Sequence, residues 1–112
     1  MPIFISQGRY SRDAIKGMIA NPEDRAEAVS KLAQQAGGRM LAYYVTLGEH
    51  DFLVVCEMPG HKEASMVVLT AAASGGVTDV KTTLAMTTAE AKEVFAATGK
   101  LASGFRPAGG GS

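Results

Sequence analysis

Apolar and polar positions along this chain repeat with two periods, and the switches between them mark out its elements. Ile3 to Arg9 is short and β-prone, and Tyr10-Ser11 leads into a helical stretch from Arg12 to about Ile19. Asn21-Pro22-Glu23-Asp24 has the features of a helix start: Asn21 as cap, Pro22 in the first helical position and two carboxylates to complement the dipole. A main helix is therefore expected from there. Val29, Leu32, Ala33 and Ala36 lie along one face of it, and Gly37-Gly38 ends it.

Arg39 to Leu47 and Asp51 to Met58 are two β-type runs joined by Gly48-Glu49-His50, which predicts a hairpin with a short loop. Pro59-Gly60 breaks the chain, and His61 to Ser74 is too long for a typical strand, so a second helix is expected. Val77 to Met86 alternates as a fourth strand. Thr87 with Glu90 then forms a capping box, opening a helix with Ala91, Val94 and Phe95 on one side that is expected to stop near Gly99. The order is β-α-β-β-α-β plus a terminal helix: an α+β, ferredoxin-like antiparallel sheet with its helices on one face. Residues 1–99 form one domain on this reading. Lys100 to Ser112 is a Gly/Pro/Ser-rich tail, and its Gly109-Gly110-Gly111-Ser112 end tells nothing about the fold.

Strict alternation places Met40, Ala42 and Tyr44 on one side of the second strand, with Leu41, Tyr43, Val45 and Leu47 on the other. In the third strand Phe52, Val54 and Cys56 oppose Leu53 and Val55. Both sheet faces are thus apolar, whereas a face left to water should carry polar side chains. A second copy of the chain, joined face to face as a homo-oligomer, is the economical cover; the C-terminal segment and a bound apolar ligand are the alternatives.

Composition narrows the partners. Eleven basic and eleven acidic side chains cancel, so no global field favours nucleic acid. The densest basic stretch, Arg9, Arg12 and Lys16, is interrupted by Asp13 and fits a solvated helix face. The fifteen uncharged residues between Glu63 and Asp79 are too few, and too rich in Ser, Thr and Gly, to span a membrane. A lone cysteine, Cys56, lies in an apolar run where a buried inert thiol is the ordinary reading. The chain opens without a secretory-signal pattern, and a cytoplasmic location is expected.

The run Gly37-Gly38-Arg39 through Tyr43-Tyr44-Val45-Thr46-Leu47-Gly48-Glu49-His50-Asp51-Phe52 resembles the GYD domain, a group of small bacterial and archaeal proteins. The resemblance extends from Gly8-Arg9-Tyr10 and Ile15-Lys16-Gly17 to the strand at Val80 to Met86. In that family the motif after the second strand is usually Gly, an acidic or polar residue, Tyr and Asp. Here it reads Gly48, Glu49, His50, Asp51, with histidine in the aromatic position. The resemblance implies a ferredoxin-like fold related to dimeric α/β barrels, and no established activity.

For the motif itself, the structural expectation is a turn in which Gly48 takes a positive φ and Asp51 bonds turn amides. The functional expectation is that the hairpin tip brings Glu49, His50 and Asp51 to a cleft, together with Tyr10 and Tyr44, where a small molecule binds. Tyr43 and Tyr44 point to opposite faces, so one is available to a pocket and the other to an interface. No metal or other cofactor is expected, since two histidines, His50 and His61, lack ligand spacing. The preferred reading is a non-catalytic, homo-oligomeric small-molecule-binding module. The alternatives are a small oxidoreductase or monooxygenase-like enzyme of the dimeric α/β-barrel type, and a structural or partner-binding subunit.

Overall fold

The structure, a computed structural model, describes residues 1–110; Gly111 and Ser112 of the glycine-serine end lie outside the described residues. The elements are β1 (Ile3–Tyr10), α1 (Arg12–Ala20), α2 (Ala26–Gln35), β2 (Arg39–Val45), β3 (Phe52–Glu57), α3 (His61–Ala73), β4 (Val77–Ala85) and α4 (Thr88–Gly104). All strand pairings are antiparallel and the order across the sheet is β2-β3-β1-β4. This is the split βαβ arrangement expected from the sequence, with two helices in the first crossover.

Local chemistry explains most boundaries. Ser11 caps α1 by accepting a hydrogen bond from the Ala14 amide at 3.1 Å. The Thr87–Glu90 capping box at the start of α4 is fully formed. Gly37 ends α2 with φ +91°, and the Gly38 amide reaches back to the Ala33 carbonyl at 2.9 Å.

Asn21-Pro22-Glu23-Asp24 does not start a helix. Asn21 is the C-cap of α1, its amide bonded to the Gly17 carbonyl, because the proline after it disfavours helical backbone at that position. Helix α2 begins only at Ala26, whose amide is met by the Asp24 carboxylate at 2.9 Å. Nor does α4 stop at Gly99. Glycine permits a helix end but does not impose one, and here the helix runs to Gly104, with Pro107 shortly beyond.

Helices α2 and α3 cover one sheet face. Phe4, Phe52, Val54 and Cys56 point toward them, with Met58 just after β3, and all are buried. The small side chains Ala33 of α2 and Ala64 of α3 are buried against this layer, letting both helices approach closely. Cys56 is inert packing, as expected: burial pushes its thiol pKa up, away from the reactive thiolate.

A β-bulge at Leu41 overturns the strict alternation read for β2. Met40 pairs with Cys56 and Ala42 with Val55, leaving Leu41 without a partner on β3. Met40 and Tyr43 therefore both face the helices, while Ala42 and Tyr44 share the opposite face. That opposite face is open. Ile5 and Val55 pair at its centre, Leu53 lies opposite Tyr44, and Tyr44 is 64 % exposed.

Candidate functional site

A cleft of about 660 Å³ opens where β1 ends, between α1, α2 and α3. Ala14 and Met18 of α1, Val29 and Leu32 of α2, and Ala71 of α3 form apolar walls, while Tyr10 and Tyr43 bring hydroxyls into it. The turn that displaced the start of α2 contributes Glu23 and Arg25, ion-paired at 2.8 Å. A smaller cavity of about 90 Å³ lies beside it, and Val29, Tyr43, Ala71 and Val77 line both spaces. The cleft thus has a charged mouth, two phenols and an apolar depth.

The two tyrosines reach this position from different strands. Tyr10 is the last residue of β1, and its amide donates to Asp51 Oδ2 at 2.9 Å. The Asp51 amide in turn donates to the Gly8 carbonyl at 2.7 Å, so Asp51 clamps the end of β1 to the start of β3. Both rings lean on Phe52, with centroid separations of 5.2 Å for Tyr10 and 6.4 Å for Tyr43. Phe52 itself lies over Gly8, where an added Cβ would come within 2.8 Å of the ring.

The tyrosine hydroxyls hydrogen-bond to each other. Burial, and next the bond to Tyr43, push the Tyr10 phenol well above its ordinary pKa, while the Arg25 charge pulls weakly the other way. Tyr10 therefore presents a neutral hydroxyl at the cleft, hydrogen-bonded to that of Tyr43. Among the described residues lining the cleft there is no His, Cys or Asp, and Glu23 is the one carboxylate. Tyr10, Tyr43 and Arg25 are the hydrogen-bond donors of this set that a polar group in the cleft would meet.

The residues singled out from the sequence are spread over three places. Tyr10 lines the cleft and Asp51 positions it from behind. Tyr44 stands on the open sheet face, and Glu49 is exposed in the β2–β3 loop. His50 accepts a hydrogen bond from the Thr46 hydroxyl through its carbonyl, while its Nε2 is shielded from solvent without a hydrogen-bond partner. Gly48 has no positive φ, and the Asp51 carboxylate bonds across the sheet to Tyr10, while in the hairpin its carbonyl accepts from the Thr46 amide at 2.8 Å. No three His, Cys, Asp or Glu side chains converge among the described residues, and no helix among them is long and apolar enough to cross a membrane. Tyr43 takes the place at the cleft that strict alternation offered to Tyr44, because the Leu41 bulge reverses the face of everything after it. Arg25 carries no sequence signal, being hidden inside the expected helix.

Comparison with known proteins agrees with this architecture. The sequence model of the GYD domain matches residues 4–95. A curated protein of Thermus thermophilus, named glutamine synthetase and cystathionine beta-lyase binding protein, is 31% identical over 77 residues, covering 69% of this chain and 81% of that protein. Among solved structures, TTHA0845 from Thermus thermophilus superposes with a TM-score of 0.50 at 18% identity, over 78% of this chain and 95% of its own. A transcriptional regulator from Neisseria meningitidis, solved in complex with L-Met, gives 0.53 at 19% identity, over 77% of this chain and 50% of its own. These two structures share the α+β fold.

Proposed function

The chain belongs to the GYD domain family, and from that premise we propose that it is a non-catalytic, homo-oligomeric module that binds a small molecule in the tyrosine cleft. The observation that carries this reading is the cleft holding Arg25 and the Tyr10–Tyr43 hydroxyl pair, side by side with an apolar cavity that shares its Val29, Tyr43, Ala71 and Val77 walls. Such a site fits a ligand with a compact apolar body and a head group that accepts hydrogen bonds. The name of the Thermus thermophilus relative, a binding protein, supports a role in binding over one in catalysis.

The test is a thermal-shift titration with amino acids and short-chain carboxylates, read beside native mass spectrometry of the chain from its own cells. A ligand that raises the melting temperature of the wild type should bind about tenfold more weakly to Tyr43→Phe, the worth of one good hydrogen bond, and more weakly still to Arg25→Ala. If nothing in the panel shifts the melting temperature and the native chain retains no small molecule, the reading fails.

Self-association completes the proposal. Ile3, Ile5, Ala42, Leu53 and Val55 make an apolar floor on the open face, rimmed by Gln7, Lys81 and Glu57, and a twofold pairing of this face with itself removes that floor from water. Val55→Glu places a charge at the centre of the floor, so fewer copies per assembly are expected in sedimentation experiments, with an unchanged circular-dichroism spectrum. A wild-type chain that stays monomeric at micromolar concentration would overturn it.

A further inference from the structure

The charges that line the tyrosine cleft balance. Among the described residues of its wall Arg25 is the one cation and Glu23 the one carboxylate, and the two pair with each other at 2.8 Å. The neighbouring Asp24 carboxylate is committed to the Ala26 amide, and the Tyr10 phenol stays neutral. Both side chains of the pair are about half exposed, and an ion pair so placed is held only weakly. A ligand can therefore open it, and affinity then turns on the arm that the ligand does not use. A carboxylate that takes Arg25 from Glu23 is left beside a second carboxylate, and an amine that takes Glu23 is left beside the guanidinium, so each meets like-charge repulsion. A molecule that carries both charges on adjacent groups replaces both halves of the pair at once. Each arm then exchanges one opposite charge for another.

Other groups in the wall favour the same two charges. Helix α1 finishes at the cleft: Gly17, Met18 and the C-cap Asn21 line it, and no basic side chain stands in the last turn to offset the partial negative charge of the helix end. That end favours an ammonium. Arg25 lies near enough to Tyr10 for its charge to act on the phenol, and the Tyr10 and Tyr43 hydroxyls meet there; guanidinium and hydroxyl together favour a carboxylate. Met18, Val29, Leu32 and Ala71 make the adjoining wall apolar, which suits a hydrocarbon or thioether side chain. On the reading of this cleft as a small-molecule site, we infer that its ligand is an apolar α-amino acid, a zwitterion whose carboxylate takes Arg25 and whose ammonium takes Glu23.

Calorimetric titration of the full chain at neutral pH tests this with matched probes: L-leucine, L-methionine and L-phenylalanine, each beside the acid that lacks its amino group and the amine that lacks its carboxylate; for leucine these are isocaproate and isoamylamine. At least one amino acid is expected to bind about tenfold tighter than either of its analogues. Glu23→Gln is expected to weaken that amino acid about tenfold and to leave the matching acid as tight or tighter, whereas Arg25→Ala weakens both. Opposite responses to Glu23→Gln mark a contact with the ammonium, because a Glu23 that only held Arg25 in place would weaken amino acid and acid together. An acid that binds as tightly as its amino acid, or a Glu23→Gln chain that loses both, overturns the inference; if Tyr43→Phe still weakens that binding, the cleft stands as the binding site and only the ligand class is wrong. Binding by no member of any set also overturns the inference, and the wider ligand panel and the native mass spectrum then decide the cleft reading separately.

Discussion

Gly38→Ala is expected to destabilise the fold by about 3 kcal/mol or more, the upper range for forcing atoms into a closed site. An added Cβ would come within 2.2 Å of the Glu57 carbonyl oxygen, 2.6 Å of the Met58 sulfur and 3.1 Å of the Met58 Cα. The sulfur can swing away, but two of the three obstacles are backbone. Relief requires β2 to move off β3, which breaks the Arg39–Glu57 pairing in the ladder and the 2.9 Å ion pair between the same residues. It also strains the Gly38 amide bond to Ala33 that closes α2. Small domains hold only about 5–15 kcal/mol in all, so the urea midpoint should fall sharply. An unchanged midpoint would show that the strand yields cheaply. Gly37→Ala is a useful contrast: its obstacle is only a Pro59 side-chain atom at 3.4 Å, and its cost comes from φ +91°.

Phe52→Ala has an expected cost of about 3–5 kcal/mol, as for other buried phenylalanines reduced to a methyl. Its ring is buried, packs over Gly8 and holds both tyrosines of the cleft from beneath. The loss should therefore appear twice. Chemical denaturation should report the cavity, and ligand titration well below the melting temperature should report weaker binding, because Tyr10 and Tyr43 no longer have a platform. Phe52→Leu keeps much of the volume and should lose far less stability. If Phe52→Ala binds a cleft ligand as tightly as the wild type, the aromatic platform has no part in recognition.

Helix α3, strand β3 and the hairpin were legible because each is specified by neighbours in sequence. Alternation of Phe52, Val54 and Cys56 with Leu53 and Val55 survives folding without a slip, and β3, a central strand, has a partner on either side to hold it. The Thr87–Glu90 box was legible for the same reason, as four adjacent residues satisfy each other. Asn21-Pro22-Glu23-Asp24 was misread because a capping pattern and a chain break use the same residue types. Their difference lies in α1, which runs up to Asn21 and makes it an end instead of a beginning.

The sequence by itself determined the α+β class, the strand count, an apolar pattern on both sheet faces and the resemblance to the GYD domain, since these follow from period, turn residues and short motifs. Only the tertiary structure decided which tyrosine enters the cleft, because one unpaired residue at Leu41 turns Tyr43 inward and no local pattern marks a bulge. It alone also placed Arg25 at the mouth and left α4 standing free. Those outcomes depend on what lies across the sheet or beyond the body of the domain, and distance along the chain does not encode distance in space.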